Sequence, residues 1–140
     1  MKTIQRLAPL SVLLLLILLL VACEGYSETG GSTSSQRDMN GGQEQGSARK
    51  ANGTATRQLE ELPNPGGWLD ADVTLSVEKG SFKIELLGED DEVTLTLEAR
   101  DGEAISGKGS MAVDSFGEAG YRVTAVEAEN AEYAIVYAYR

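Results

Sequence analysis

The side chains able to do chemistry in this 140-residue chain are few, and each stands apart from the partners such chemistry needs. There is no histidine and a single cysteine, Cys23, so the commonest acid–base and nucleophilic sets are missing. Carboxylates are plentiful, and the densest run is Glu89-Asp90-Asp91-Glu92. Glu89, Asp90 and Asp91 are the candidate ligands for calcium, which takes about six to eight oxygens. The run lacks the spaced pattern of an EF-hand loop, and neighbouring side chains of an extended segment point opposite ways. It reads as a solvated hairpin tip, with no metal site assigned. Tyr133, Tyr137 and Tyr139 form an alternating row that, with Trp68, could line a ligand groove. The same row serves equally well as core, and that reading is favoured. No cofactor is implied, and the chain is not expected to be an enzyme.

The elements that position these groups begin with a leader. Lys2 and Arg6 precede a run from Leu7 to Ala22 that is almost wholly apolar. A positive head, an apolar middle and small residues at the end describe an export signal. The run is shorter than the roughly 20 residues of a spanning helix and carries Pro9, which favours a cleaved leader. Its last residues, Leu20-Val21-Ala22-Cys23, match the lipobox at all four positions, and here the chain resembles the bacterial lipoproteins. The resemblance implies cleavage between Ala22 and Cys23 and a diacylglyceryl group on the Cys23 thiol. Two or more acyl chains anchor stably where one is marginal. The implied location is the envelope, at the cell surface or periplasmic face, with the membrane as a partner through lipidated Cys23. Glu24, rather than Asp, after the cysteine fits the enterobacterial pattern of passage to the outer membrane.

Loss of the leader removes Lys2 and Arg6, leaving 10 basic against 22 acidic residues, a net charge of −12. That charge excludes nucleic acid as a partner, because phosphates call for a basic surface. From Glu24 to Gly66 Gly, Ser, Thr, Gln and Asn dominate, and apolar residues are too few to offset the entropy of ordering. The expected division is a signal peptide over 1–22, a lipid-anchored flexible linker over 23–67 and a β domain over 68–140.

Within that domain, short alternating segments separated by turn residues predict strands and no helix. Val73 to Val77, Phe82 to Leu86 and Val93 to Leu97 each put apolar residues on one face. A turn at Lys79-Gly80 would pair Val77 with Phe82, and one around Glu89-Asp90 would pair Leu86 with Val93. A three-residue loop from Asp101 would set Gly107 opposite Leu97 and Gly109 opposite Leu95, with glycine admitting a close neighbour. Phe116 is a possible plug. Two further strands, Tyr121 to Ala128 and Glu132 to Tyr139, would turn near Glu129-Asn130. The last is apolar on both faces and so a poor free edge. The fold class is therefore all-β: a small antiparallel six-stranded sandwich or partly closed barrel, preceded by a signal peptide and a disordered linker. The expected function is that of an exported, lipid-anchored binding or structural module meeting a protein or glycan in the envelope. Calcium-assisted recognition is the alternative, and a hydrolase without histidine the remote one.

Overall fold

The computed structural model describes residues 25–140; the leader, Cys23 and the cleavage point between Ala22 and Cys23 lie outside the described residues. Two long strands form the spine. β3 (Gly41–Leu59) and β8 (Ala119–Tyr139) run antiparallel along their whole lengths, from Gly41 opposite Ala138 to Leu59 opposite Ala119. Around them lie β1 (Ser27–Thr29), β2 (Ser32–Arg37), β4 (Trp68–Ser76), β5 (Lys79–Leu87), β6 (Val93–Arg100) and β7 (Ala104–Ala112).

The spine is folded over on itself. Tyr121 and Tyr133 share β8, yet their ring centroids are 5.9 Å apart. Twelve residues of straight strand would separate them by about 40 Å. The bend is made where the ladder slips between Ala51 and Gly53. There Gly53 takes φ 102°, while Glu127 and Asn130 on the facing strand take φ 46° and 50°. Left-handed backbone is cheap only for glycine, and a bulge is the usual device for turning a corner.

Bending the spine makes two facing layers. In one, β2, the first half of β3, the second half of β8, β4 and β7 lie side by side. In the other, β1, the second half of β3, the first half of β8, β5 and β6 do the same. Every pairing is antiparallel, and the sheet does not close into a barrel. Between the layers Leu69, Val73, Ile84, Leu86, Met111, Tyr121, Val123 and Ile135 are fully buried. On one flank β6 meets β7 across the interior. The Thr94 hydroxyl lies between the Leu86 carbonyl, at 3.2 Å, and the Ser110 carbonyl and shares its one proton between them, tying the layers together.

The fold class is an all-β antiparallel sandwich, with eight strands among the described residues where six were expected. The largest correction concerns residues 23–67: from Ser27 to Leu59 the expected linker is three strands, and β3 is central. Its buried positions are Gly41, Glu44, Gly46, Ala48 and Ala51. Gly46 and its neighbour Gly42 are small because tyrosine rings of β8 lie over them: an added Cβ would sit 2.6 Å from the Tyr133 hydroxyl at Gly46 and 2.5 Å from the Tyr137 hydroxyl at Gly42. A count of apolar residues therefore misses a strand whose partner supplies the bulk. No boundary falls before Trp68, since β3 and β4 flank the same half of β8.

The pairings also differ. β4 and β5 do not pair through a turn at Lys79-Gly80; they enter opposite layers, each against β8. β5 pairs β6 with Leu86 opposite Leu95, two residues from the expected register but on the same face, with a slip at Leu87. Gly107 and Gly109 do face Leu97 and Leu95, but across the interior rather than along a ladder. Added Cβ atoms there would lie 2.9 Å from Leu97 Cδ2 and 2.8 Å from Leu95 Cβ. The two expected final strands are one bent strand, and it is no free edge, being paired on both sides. Phe116 plugs nothing, at 83% exposed.

Candidate binding groove

The outer face of the first layer is built from small polar side chains. Strand alternation turns one residue in two outward, and the registers bring these into rows across five strands. One row reads Ser34, Gln45, Ala134, Thr74, Ser106; the next, nearer the bend, reads Ser32, Ser47, Glu132, Ser76, Ala104. Together they line a groove of about 700 Å³. Five strands span roughly 19 Å at about 4.8 Å each, so the groove suits an extended chain running across them.

Its chemistry is hydroxyl and amide. Ser32 and Ser47 share a hydrogen bond at 3.0 Å, leaving further hydroxyl valences for a ligand. Glu132 is the one charged lining residue. In the row beyond, Asp72 is paired with Lys108 at 3.3 Å, and further on Asp70 with Arg140. The hydrogen bond from Arg140 holds the Asp70 carboxyl below its ordinary range. Apart from Glu132, the polar lining of the groove is neutral donors and acceptors, suited to a neutral polar chain.

Behind the same layer lies a polar network inside the sandwich. Glu44, 6% exposed, accepts from Tyr121 at 3.1 Å and from Ser35. Tyr121 and Tyr133 hydroxyls meet at 2.9 Å. Arg57 donates to the Tyr133 hydroxyl and to Thr33, each at 3.0 Å, and to Glu28 at 3.2 Å. Tyr26 donates to the same Glu28 oxygen at 2.9 Å, with the Arg57 guanidinium 5.4 Å from its ring centre. Burial is the main force pushing the Tyr121 phenol far up, helped by Tyr133 and Glu44; burial also leads for Tyr26, followed by Glu28. Both phenols therefore stay protonated donors at neutral pH. The network bolts the two layers together at the flank opposite β6 and β7.

The sequence-predicted residues fall elsewhere. Tyr133 and Tyr137 are core, at 6% and 4% exposed. Tyr133 stacks on Phe82 with ring centres 6.0 Å apart. Tyr139 is partly buried, 6.2 Å from the Tyr137 ring, and Trp68 is half-buried at the start of β4 with its ring edge near Gly88. These four do not meet in one open face. Burial raises the Tyr137 phenol as well, with Tyr139 adding to the effect. Glu89, Asp90 and Asp91 form an exposed turn in which Asp90 and Asp91 take φ 53° and 57°. Among the described residues no three acidic or thiol side chains converge as metal ligands would. Ser32, Ser34, Gln45 and Ser47 were missed because they lie in the stretch expected to be linker. Alternation was present there, but its inward members were glycine and alanine.

No family model matches this chain, and no curated protein does. Solved structures resemble it distantly. One is a xylan-binding domain from Paenibacillus barcinonensis, at 9% identity and a TM-score of 0.42, over 84% of this chain and 86% of that one. A second is a carbohydrate-binding module of a Cellvibrio mixtus lichenase in complex with cellotriose, at 10% identity and a TM-score of 0.39, over 80% and 88%. A third comes from the disulfide-linked pili of Bacillus endospore appendages, at 13% identity and a TM-score of 0.46, over 81% and 93%. At such identities no residue of theirs transfers to a position here.

Proposed function

We propose that this chain is an exported, lipid-anchored protein of a bacterial envelope whose sandwich is a non-catalytic binding module. Its ligand is a neutral, hydroxyl- or amide-bearing chain, a glycan or an extended protein segment, lying across the groove. The single observation carrying this reading is the groove itself: about 700 Å³ on an open sheet face, where serine, threonine and glutamine line it together with Glu132 and the apolar Leu75 and Ile105. Anchoring rests on the lipobox residues Leu20 to Cys23.

The test places arginine in the groove. Thr74 and Ser106 are exposed and adjacent across β4 and β7, so Thr74→Arg and Ser106→Arg fill the site without disturbing the core. Sedimentation with insoluble envelope polysaccharide, and with envelope stripped of glycan, should show retention of the wild type and loss in both variants. Equal retention of variants and wild type would reject the groove. Failure of labelled fatty acid to enter the wild-type chain in a bacterial host would reject the anchor.

A further inference from the structure

We infer that the sandwich sits directly on the membrane by its bent corner, with no tether, and that the groove opens sideways close above the headgroups. This deepens the reading just proposed and rests on acylation of Cys23. Its basis is how soon after that residue the chain becomes part of the fold. Tyr26 is already docked, its hydroxyl bonded to Glu28 and its ring beside Arg57. Gly25 packs against the corner so closely that a Cβ on Gly53 would overlap the Gly25 carbonyl and lie 2.9 Å from the Tyr26 Cα. Ser27, the first residue of β1, then pairs with Asn52.

From Cys23 to Tyr26 is three residues, a reach of at most about 10 Å. A flexible linker over 23–67, as the composition suggested, would have allowed roughly 36 Å of random-coil separation. The headgroup layer on each side of a bilayer is itself only about 6 Å deep. Acyl chains on Cys23 therefore hold Gly53 and its neighbours at the polar surface. The recess at that corner is lined by Lys50, Asn52 and Lys79 with Glu28, Asp101, Glu127 and Glu129. Lys50 is exposed and Lys79 is bridged to Glu129 at 3.8 Å, so the lining offers both signs of charge to a zwitterionic headgroup, with acids in excess.

The opposite pole points outward. Because β3 is bent, both its ends lie there: Glu44 lines the same recess as Gln58 and Leu59, and Arg37 donates to the Glu60 and Glu61 carbonyls. Nine residues of strand from corner to pole amount to about 30 Å. Met39, 94% exposed between β2 and β3, marks that far pole. The groove row holding Ser47 and Glu132 is three residues from Lys50 and Glu129, about 10 Å from the corner. A ligand in the groove would therefore lie within reach of the membrane surface and run along it.

The full-length protein, processed in a bacterial host and reconstituted into phosphatidylcholine–phosphatidylethanolamine vesicles, supplies the test. Cys23 is consumed by lipid, so a thiol introduced by Lys50→Cys or Lys79→Cys at the corner, or Met39→Cys at the pole, takes a fluorophore alone. Energy transfer to an acceptor on the lipid headgroups should be several-fold stronger from the two corner sites than from the pole. Inserting a long Gly/Ser segment between Glu24 and Gly25 should bring the three close to equality. Acylated, vesicle-bound protein with equal transfer from corner and pole would overturn the apposition while leaving the anchor in place. Protein without acyl mass that fails to float with vesicles would overturn the anchor, and the apposition with it.

Discussion

Gly46→Ala adds a single methyl to a residue that composition would place in a flexible linker. In the structure that methyl has no room: its Cβ would stand 2.6 Å from the Tyr133 hydroxyl and overlap the ring. The ring cannot swing freely, being stacked on Phe82, edge-on to Tyr121, and hydrogen-bonded to Arg57 and Tyr121. Forcing extra volume into a packed site costs about 1–3 kcal/mol. Pulling a buried hydroxyl from its partners adds about 1–3 kcal/mol. Replacing strand glycine by alanine returns roughly 0.5–1 kcal/mol. The net expected loss is about 1–5.5 kcal/mol, which for a domain of this size lowers Tm by roughly 4–25 °C. Urea denaturation of the mature chain is the assay, with Gln45→Ala as the control, since its neighbouring side chain faces solvent. That control should stay within about 0.5 kcal/mol of wild type. If Gly46→Ala matches the control, Gly46 does not lie beneath Tyr133, and the assignment of β3 to the core is wrong.

Other outcomes follow from the same geometry. Tyr137→Ala removes a ring that is 4% exposed and should destabilise by about 3–5 kcal/mol, read as a fall in the urea midpoint. The folded phenols of Tyr26 and Tyr121 are raised by burial, so only the unfolded chain ionises them near their ordinary value of about 10. The stability this contributes is complete below that pH and is lost as pH climbs above it. In an alkaline spectrophotometric titration these two tyrosines should ionise only together with unfolding; smooth early titration of all five would contradict the network. Calcium or a chelator should leave the melting temperature unchanged, because Glu89, Asp90 and Asp91 fan outward from an exposed turn.

What the sequence made legible was the part whose bulk lies in its own residues. Alternation in Val73 to Val77, Phe82 to Leu86 and Val93 to Leu97 marks strands whose apolar residues face the interior, and the doubly apolar β8 sits paired on both sides. Pairing was harder to read. A hairpin at Lys79-Gly80 is locally sensible, but a slip in the ladder between Lys79 and Ser81 sends β5 across to the other layer. Gly80, at φ 75°, could not carry a side chain there without striking the Glu127 carbonyl. β3 was hidden because its core contribution is absence of bulk: Gly42 and Gly46 make room for the Tyr137 and Tyr133 rings, and Ala48 and Ala51 lie opposite alanines of the partner strand. Glu44 points inward too, satisfied by Tyr121 and Ser35, a pairing no local pattern announces. The groove was invisible for the same reason, since Ser32, Ser34, Gln45, Gly46 and Ser47 of its lining come from β2 and β3.

Both the groove and the close seat on the membrane require that Ser27 to Leu59 be folded structure, and amide hydrogen exchange tests that most directly. The ladder predicts that amides of Gly42–Ser47, held between β2 and β8, exchange as slowly as those of their partners in Glu132–Tyr137. Exchange across that segment at the rate of an unstructured chain, with β8 still protected, would contradict the account.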